Sequence, residues 1–225
     1  MRRCKRMIGV STFVGAMVVL SAIRGIASSA TQAKAPATEP ATQPASTIKG
    51  TVTAEGDVPL AEMVVYLESP EASRKAPDVP PTVKVSQKGA QFDPKVIVIS
   101  IGQTIEFLND EDRLIEHNVF SNSPTKRFDL GLYGPGQSKK LQFDKPGPVF
   151  LYCSIHRYMD GVVFVSPTPY FSRVEKNGAY KIENVPPGQW IVKTWQRRRR
   201  FAEKSVPVTA KIDRPSVVDL ELKKK

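Results

Sequence analysis

The chain has 225 residues, 19 of them proline, and a formal net charge of +11. That length allows one large or two small domains, each with room for a core. The proline content and the scarcity of long helical patterns argue against a helical protein and for a β-rich one.

The first thirty residues read as an export signal. "MRRCKR" is a basic start, Met7 to Ile23 an apolar run of 17 residues, and "ASSA", ending at Ala30, a set of small residues suited to cleavage. The apolar run sits at the bottom of the ~17–25 residues that a membrane helix needs. Cleavage is therefore expected, and a membrane association only if the segment stays uncleaved. The Arg2-Arg3 pair gives a weak hint of twin-arginine export. Residues 1–30 are thus a signal peptide, and the folded protein is expected to be periplasmic or otherwise extracytoplasmic. Loss of that segment removes five basic residues and no acids, which lowers the net charge to +6. It also removes Cys4 and leaves Cys153 as the sole thiol. One cysteine makes no internal disulfide, and a lone thiol in an oxidising compartment needs burial, reactivity or a bound partner.

Residues 31–46, "TQAKAPATEPATQPAS", are a Pro/Ala/Thr-rich linker that builds no core. Strands follow: "IKGTVTA", the turn "EGDVPLAE", then "MVVYLES". "PEASRKAPDVPP" is a proline-rich break. From Val83 a series of short strands runs to about Ser166, with turns at Asp93-Pro94, Gly102-Gln103 and Asn109-Asp110. That spacing predicts an antiparallel sandwich, with "EHNVFS", "KRFDLGLY", "QSKKLQFD", "PVFLYC" and "GVVFVS" as further members. In the last part, Asn177-Gly178 between two alternating runs predicts a hairpin, and Pro186-Pro187-Gly188 a second turn. "QRRRR", Gln196 to Arg200, is either a solvated loop or a docking patch for an acidic partner or an anionic surface. No nucleic-acid motif is present, and an exported protein is not expected to meet nucleic acid.

The chemistry concentrates in "LYCSIHRYMDG", Leu151 to Gly161. Alternation puts Val149, Leu151 and Cys153 on one strand face, pointing into the sandwich end. Alone, that is also how an inert buried cysteine reads. His156 and Met159 follow at successive spacings of three, and a loop leaving the strand can bring thiolate, imidazole and thioether together. Soft sulfur plus imidazole suits copper, with methionine as a weak axial ligand. Such a site takes two histidines, and His117 in "IEHNVF" is the only other histidine in the chain. Zinc is the alternative metal, but it rarely uses a thioether, so Met159 favours copper.

These segments, "EHNVF" and "CSIHRYM", resemble the marks of the cupredoxins, the small blue copper proteins, with the C-x2-H-x2-M spacing most like amicyanin. "FDPKVIVISIGQTIEFLNDED" resembles the cupredoxin opening. The resemblance covers residues 83–166. It implies His117, Cys153 and His156 as equatorial ligands of one type 1 copper, Met159 as the axial ligand, and Asn118 as the residue tying the two ligand loops together. A proline commonly precedes each histidine in that family; Glu116 and Ile155 stand there in this chain.

"IKGTVTAEGDVPLAEMVVYLE" and "VEKNGAYKIENVPPGQWIVKTW" resemble the two parts of a carboxypeptidase-regulatory-like (transthyretin-like) sandwich. The implied fold is all-β: a Greek-key cupredoxin sandwich, residues 83–166, plus a smaller transthyretin-like sandwich, residues 47–68 and 170–223. Since its two parts flank the copper segment, insertion of the cupredoxin unit is the inference, against two separate sets of strands or N-terminal strands that extend the cupredoxin sheet. The whole pattern resembles exported proteins of the methylamine-utilisation type. That label does not imply the activity; the cupredoxin resemblance implies a non-enzymatic carrier of single electrons between redox proteins. His156 is then the electron port, ringed by Ile155, Arg157 and Tyr158. Arg157, Lys126 and Arg127 suggest an acidic redox partner. Two rival readings stand beside it. One is copper storage, delivery or sensing. The other is a non-catalytic binding module served by the accessory sandwich, for which exposure of Trp190 or Trp195 would speak.

Overall fold

The computed structural model describes residues 45–56, 60–69 and 82–225. The expected signal peptide, nearly all of the expected linker and the proline-rich break lie outside them. Among the described residues there are strands, turns and one 3-10 turn, Leu60–Glu62, and no helix long and apolar enough to cross a membrane.

The strands between residues 83 and 166 make two sheets. The first holds β3 (Val83–Lys88), β4 (Gln91–Asp93), β6 (Thr104–Asn109) and β9 (Ser138–Gln142), in the order β4-β3-β6-β9. The second holds β5 (Val96–Ser100), β7 (Phe120–Asn122), β8 (Arg127–Asp129), β10 (Gly147–Tyr152) and β11 (Asp160–Ser166), in the order β5-β11-β10-β7-β8. β3 runs parallel to β6 and β5 parallel to β11, while the other ladders are antiparallel. Their facing side chains form one core: Val85, Phe92, Ile105 and Phe107 against Ile97, Ile99, Val149, Leu151, Val163 and Val165.

The strands before and after that segment pair with one another. β1 (Ser46–Ala54) lies antiparallel to β13 (Ala179–Val185) and parallel to the short β16 (Ser216–Val217) and β17 (Leu220–Leu222). β2 (Met63–Glu68) lies between β12 (Phe171–Arg173) and β14 (Gly188–Gln196), and β14 carries β15 (Ser205–Ala210) on its far edge. A second core fills the space between these two sheets. Ile48, Val52, Tyr180, Ile182 and Leu220 come from one side, and Met63, Val65, Leu67, Trp190 and Val192 from the other.

Two strands are apolar on both faces, and they join the two cores. Met63, Val65 and Leu67 of β2 enter the second core. The intervening Val64 and Tyr66 pack with Val162 and Phe164 of β11, Val96 and Trp195. On β11, Val163 and Val165 face the first core. Phe164 is stacked on Trp195 at 4.6 Å between ring centroids and meets Tyr66 edge-on at 5.0 Å. Because side chains alternate faces along a strand, a run with no polar interruption is what a strand enclosed on both sides requires.

The expectation of a hairpin at Asn177-Gly178 is corrected. The turn forms, with the amide of Gly178 donating to Glu175 and that of Glu175 to Ala179. Its flanking strands go to different sheets, β12 to β2 and β13 to β1. The turn is a crossing point between layers. Gly178 has φ of +87°, and a Cβ there would meet the Val52 carbonyl at 2.4 Å, so both conformation and space call for glycine. The expected strand over "EHNVFS" is also shorter: His117 makes only an isolated bridge with Tyr133, and the strand proper is Phe120–Asn122. Trp190 and Trp195 are both buried, so neither offers the exposed surface that the binding-module reading looks for.

Candidate metal centre

The site lies where β10 ends and where the chain leaving β6 reaches β7. Val149, Leu151 and Cys153 alternate inward and are all buried. The chain then turns sharply: the amide of Met159 donates to the His156 carbonyl at 2.9 Å, and that of Cys153 to the Met159 carbonyl at 3.3 Å. Six residues after the cysteine the chain is back beside it, ready to start β11. Met159 is buried in the same core cluster as Cys153.

His117 arrives from the other loop, and both backbone hydrogen bonds of its bridge join it to Tyr133. Asn109, at the end of β6, holds this loop in shape by donating from its amide nitrogen to the carbonyls of Ile115 and Tyr133, each at 2.9 Å. The Tyr133 phenol donates in turn to Gln87 Oε1. Burial, with the nearby Cys153 thiol, pushes that phenol far above its ordinary range, so Tyr133 keeps its proton and adds no charge beneath the site.

The donor atoms of His117, Cys153 and His156 lie within 4.8 Å of one another. Cys153 Sγ is 3.9 Å from His117 Nδ1 and 3.6 Å from His156 Nδ1. The two imidazole rings are 4.8 Å apart. His117 is 0% exposed, and its other ring nitrogen, Nε2, contacts Glu111 Oε1 at 2.9 Å. The His117 imidazole beside it holds the Glu111 carboxyl below the usual carboxylate range. This contact fixes the ring and leaves Nδ1 as the free donor, which is how metal-binding histidines are commonly oriented. Two imidazole nitrogens and one thiol sulfur converging from two loops, with a methionine buried alongside, fit copper better than a hard cation.

Asn118 follows His117 and is 3% exposed. Its Oδ1 accepts from the Ser154 amide at 2.7 Å and from the Ser154 hydroxyl at 3.0 Å, and its Nδ2 donates to Asp129 Oδ1 at 3.1 Å. The residue after the histidine thus holds the residue after the cysteine. Glu111 is the neighbour that sequence reasoning passed over. It stands six residues before His117 in the acidic turn "NDED", and an acid that close to a candidate ligand was the available signal.

Around His156 the surface is open. Ile155 is 51% and Tyr158 94% exposed, and His156 itself is half-buried between them. Arg157 and Arg127 are exposed. Lys126, expected as part of the same basic surface, is paired with Asp144 at 2.9 Å.

Fold and site have the form expected from the cupredoxin resemblance of residues 83–166. More particularly, residues 80–166 match the family of copper binding proteins, plastocyanin/azurin family. Solved structures resemble part of the chain. A purple cupredoxin from Nitrosopumilus maritimus is 24% identical over 37% of this chain and 99% of its own, with a TM-score of 0.34. Amicyanin from Paracoccus versutus is 22% identical over 40% of this chain and 86% of its own, with a TM-score of 0.35. A copper-containing nitrite reductase from Thermus scotoductus SA-01 is 27% identical over 51% of this chain, with a TM-score of 0.36, and the match spans only 28% of the reductase. A comparison with curated protein sequences returned no match.

Proposed function

We propose that this protein is an exported carrier of single electrons, with His117, Cys153 and His156 as the three strong ligands of one type 1 copper and Met159 as the weak one. The observation that carries the reading is the convergence of two imidazole Nδ1 atoms on one buried thiol. Copper held by these two imidazoles and the thiolate would supply one-electron chemistry. The residues of the chain do the rest. Glu111 orients His117, and Asn118 locks the two ligand loops together. Val119, Phe143, Leu151 and Phe107 keep water from the buried side. A centre held rigid from both loops needs little rearrangement when its charge changes.

His156 is the port in this reading, because it is the one nitrogen donor with an open face. Ile155 and Tyr158 give the apolar contact, and Arg157 and Arg127 favour an acidic partner; such redox encounters are small and short-lived. The N-terminal sequence supports export to the periplasm or beyond. We further propose that residues 47–68 and 170–223 form one discontinuous carboxypeptidase-regulatory-like sandwich into which the copper unit is inserted. Support comes from the pairing of β1 with β13 and of β2 with β14.

The test is rapid mixing of the copper-loaded protein with a small acidic c-type cytochrome. A carrier exchanges one electron per copper at a rate that falls as salt rises, since the steering charges are screened. Copper that stays bound but exchanges no electron with any mild oxidant or reductant would favour storage instead.

A further inference from the structure

The arginine run at Gln196–Arg200 has a member that is not a free surface charge. Arg197 follows the last residue of β14, and its side chain is only 13% exposed. Its guanidinium is paired with Asp160 Oδ2 and comes within 3.9 Å of Glu62 Oε1 at the entry to β2. Asp160 is the residue next to Met159 and the first of β11. Its other carboxylate oxygen takes Lys95 Nζ at 2.8 Å. Asp160 is also paired in register with Tyr152, the residue before Cys153.

Two residues before Arg197, near the end of β14, Trp195 is stacked on Phe164 of β11. The seam between the sheets therefore has two fixed points on β11: an aromatic stack at Phe164 and an ion pair at Asp160, four residues nearer the ligand loop. An exposed ion pair contributes little. This one joins a largely covered guanidinium to carboxylates from two separate elements, an arrangement whose breaking leaves a poorly solvated charge behind.

We infer that Arg197 is a positioning residue for the metal centre: it latches Asp160, and through it the Met159 end of the ligand loop, to the second pair of sheets. The strands outside the copper unit then have a definite task, which is to add a hold on one end of the loop to those that β10 and Lys95 already supply. This rests on the copper reading only for its consequence at the metal; the latch itself belongs to the metal-free chain.

The test uses the full chain. Without metal, hydrogen exchange is followed at the amides of Cys153 and Met159, whose acceptors are within the loop. Arg197→Gln should accelerate both about tenfold, the response of a local opening that has lost its tether, and leave the β3–β6 ladder at wild-type rates. Arg197→Lys should fall between. With copper bound, field alone makes Arg197→Gln and Asp160→Asn shift the reduction potential in opposite directions, one losing a cation and the other an anion. A latch makes both change the ratio of the visible bands in the same direction. Unchanged exchange at both amides in Arg197→Gln overturns the inference. If that variant does not fold, Asp160→Asn breaks the same pair from the other side and must produce the same two accelerations, or the inference falls. A wild-type protein that stays colourless with Cu(II) defeats the copper reading instead, and the exchange rates still decide the latch.

Discussion

Asn118→Ala removes the clamp between the two ligand loops, and its cost follows from three hydrogen bonds. Two are accepted from Ser154, at 2.7 and 3.0 Å, and one is donated to Asp129 at 3.1 Å. A neutral hydrogen bond contributes ~0.5–1.5 kcal/mol net, so the two from Ser154 amount to roughly 1–3 kcal/mol. Asp129 is exposed, so solvent competes for the third, and about 0.5 kcal/mol is a fair allowance. The sum is roughly 1.5–3.5 kcal/mol. At roughly 2–4 °C per kcal/mol for a domain of this size, melting of the metal-free protein should fall by about 3–14 °C. The assay is thermal unfolding followed by circular dichroism, with a urea titration to check that the slope is unchanged. Ser154→Ala is the control. It loses only the hydroxyl of an exposed residue while the amide bond to Asn118 stays, and should cost less than about 1 kcal/mol. Asn118→Asp keeps the acceptor but sets an anion against Asp129, and should be destabilised like the alanine variant. A fall of less than about 1 °C for Asn118→Ala would refute the assignment of a clamp.

Met159 should separate packing from ligation. Met159→Leu keeps the volume of a fully buried side chain, so the metal-free protein should lose under about 1.5 kcal/mol; yet the visible spectrum of the copper form should change, because the thioether is gone. Met159→Ala opens a cavity and should cost about 2–5 kcal/mol by chemical unfolding. Trp195→Ala removes the ring stacked on Phe164 between the two cores; a loss of about 3–5 kcal/mol is expected, read from denaturant midpoints. Retention of wild-type stability there would mean that the seam contributes little.

The parts of this architecture that were legible in the sequence are those where one local pattern decides. Cys153, His156 and Met159 sit within seven residues, and a strand end followed by a tight loop brings such residues together with no long-range information. The parity of Val149, Leu151 and Cys153 gave the inward face directly. His117 could be reached only by counting, since it lies thirty-six positions from Cys153. What stayed hidden depends on how sheets stack. Asn177-Gly178 has the residues of a hairpin, yet the strand after it pairs with β1, and the Val52 amide of β1 donates to the Gly178 carbonyl at 2.8 Å. The unbroken apolar runs "MVVYL" and "GVVFV" do carry the mark of strands covered on both faces, but nothing local says that they cover each other. Lys126 looked like a free cation because Asp144, eighteen residues away, is brought to it only by the fold. Arg197 was one of four identical neighbours until β14 turned it toward Asp160.

The most direct test of the central claim is titration of the purified chain with Cu(II), followed by visible and electron paramagnetic resonance spectra. Copper should saturate at one per chain, with an intense thiolate-to-copper band that vanishes in Cys153→Ala and is lost or strongly altered in His117→Ala. A protein with its own ligands intact that remains colourless, or that keeps its band without Cys153, would contradict the claim.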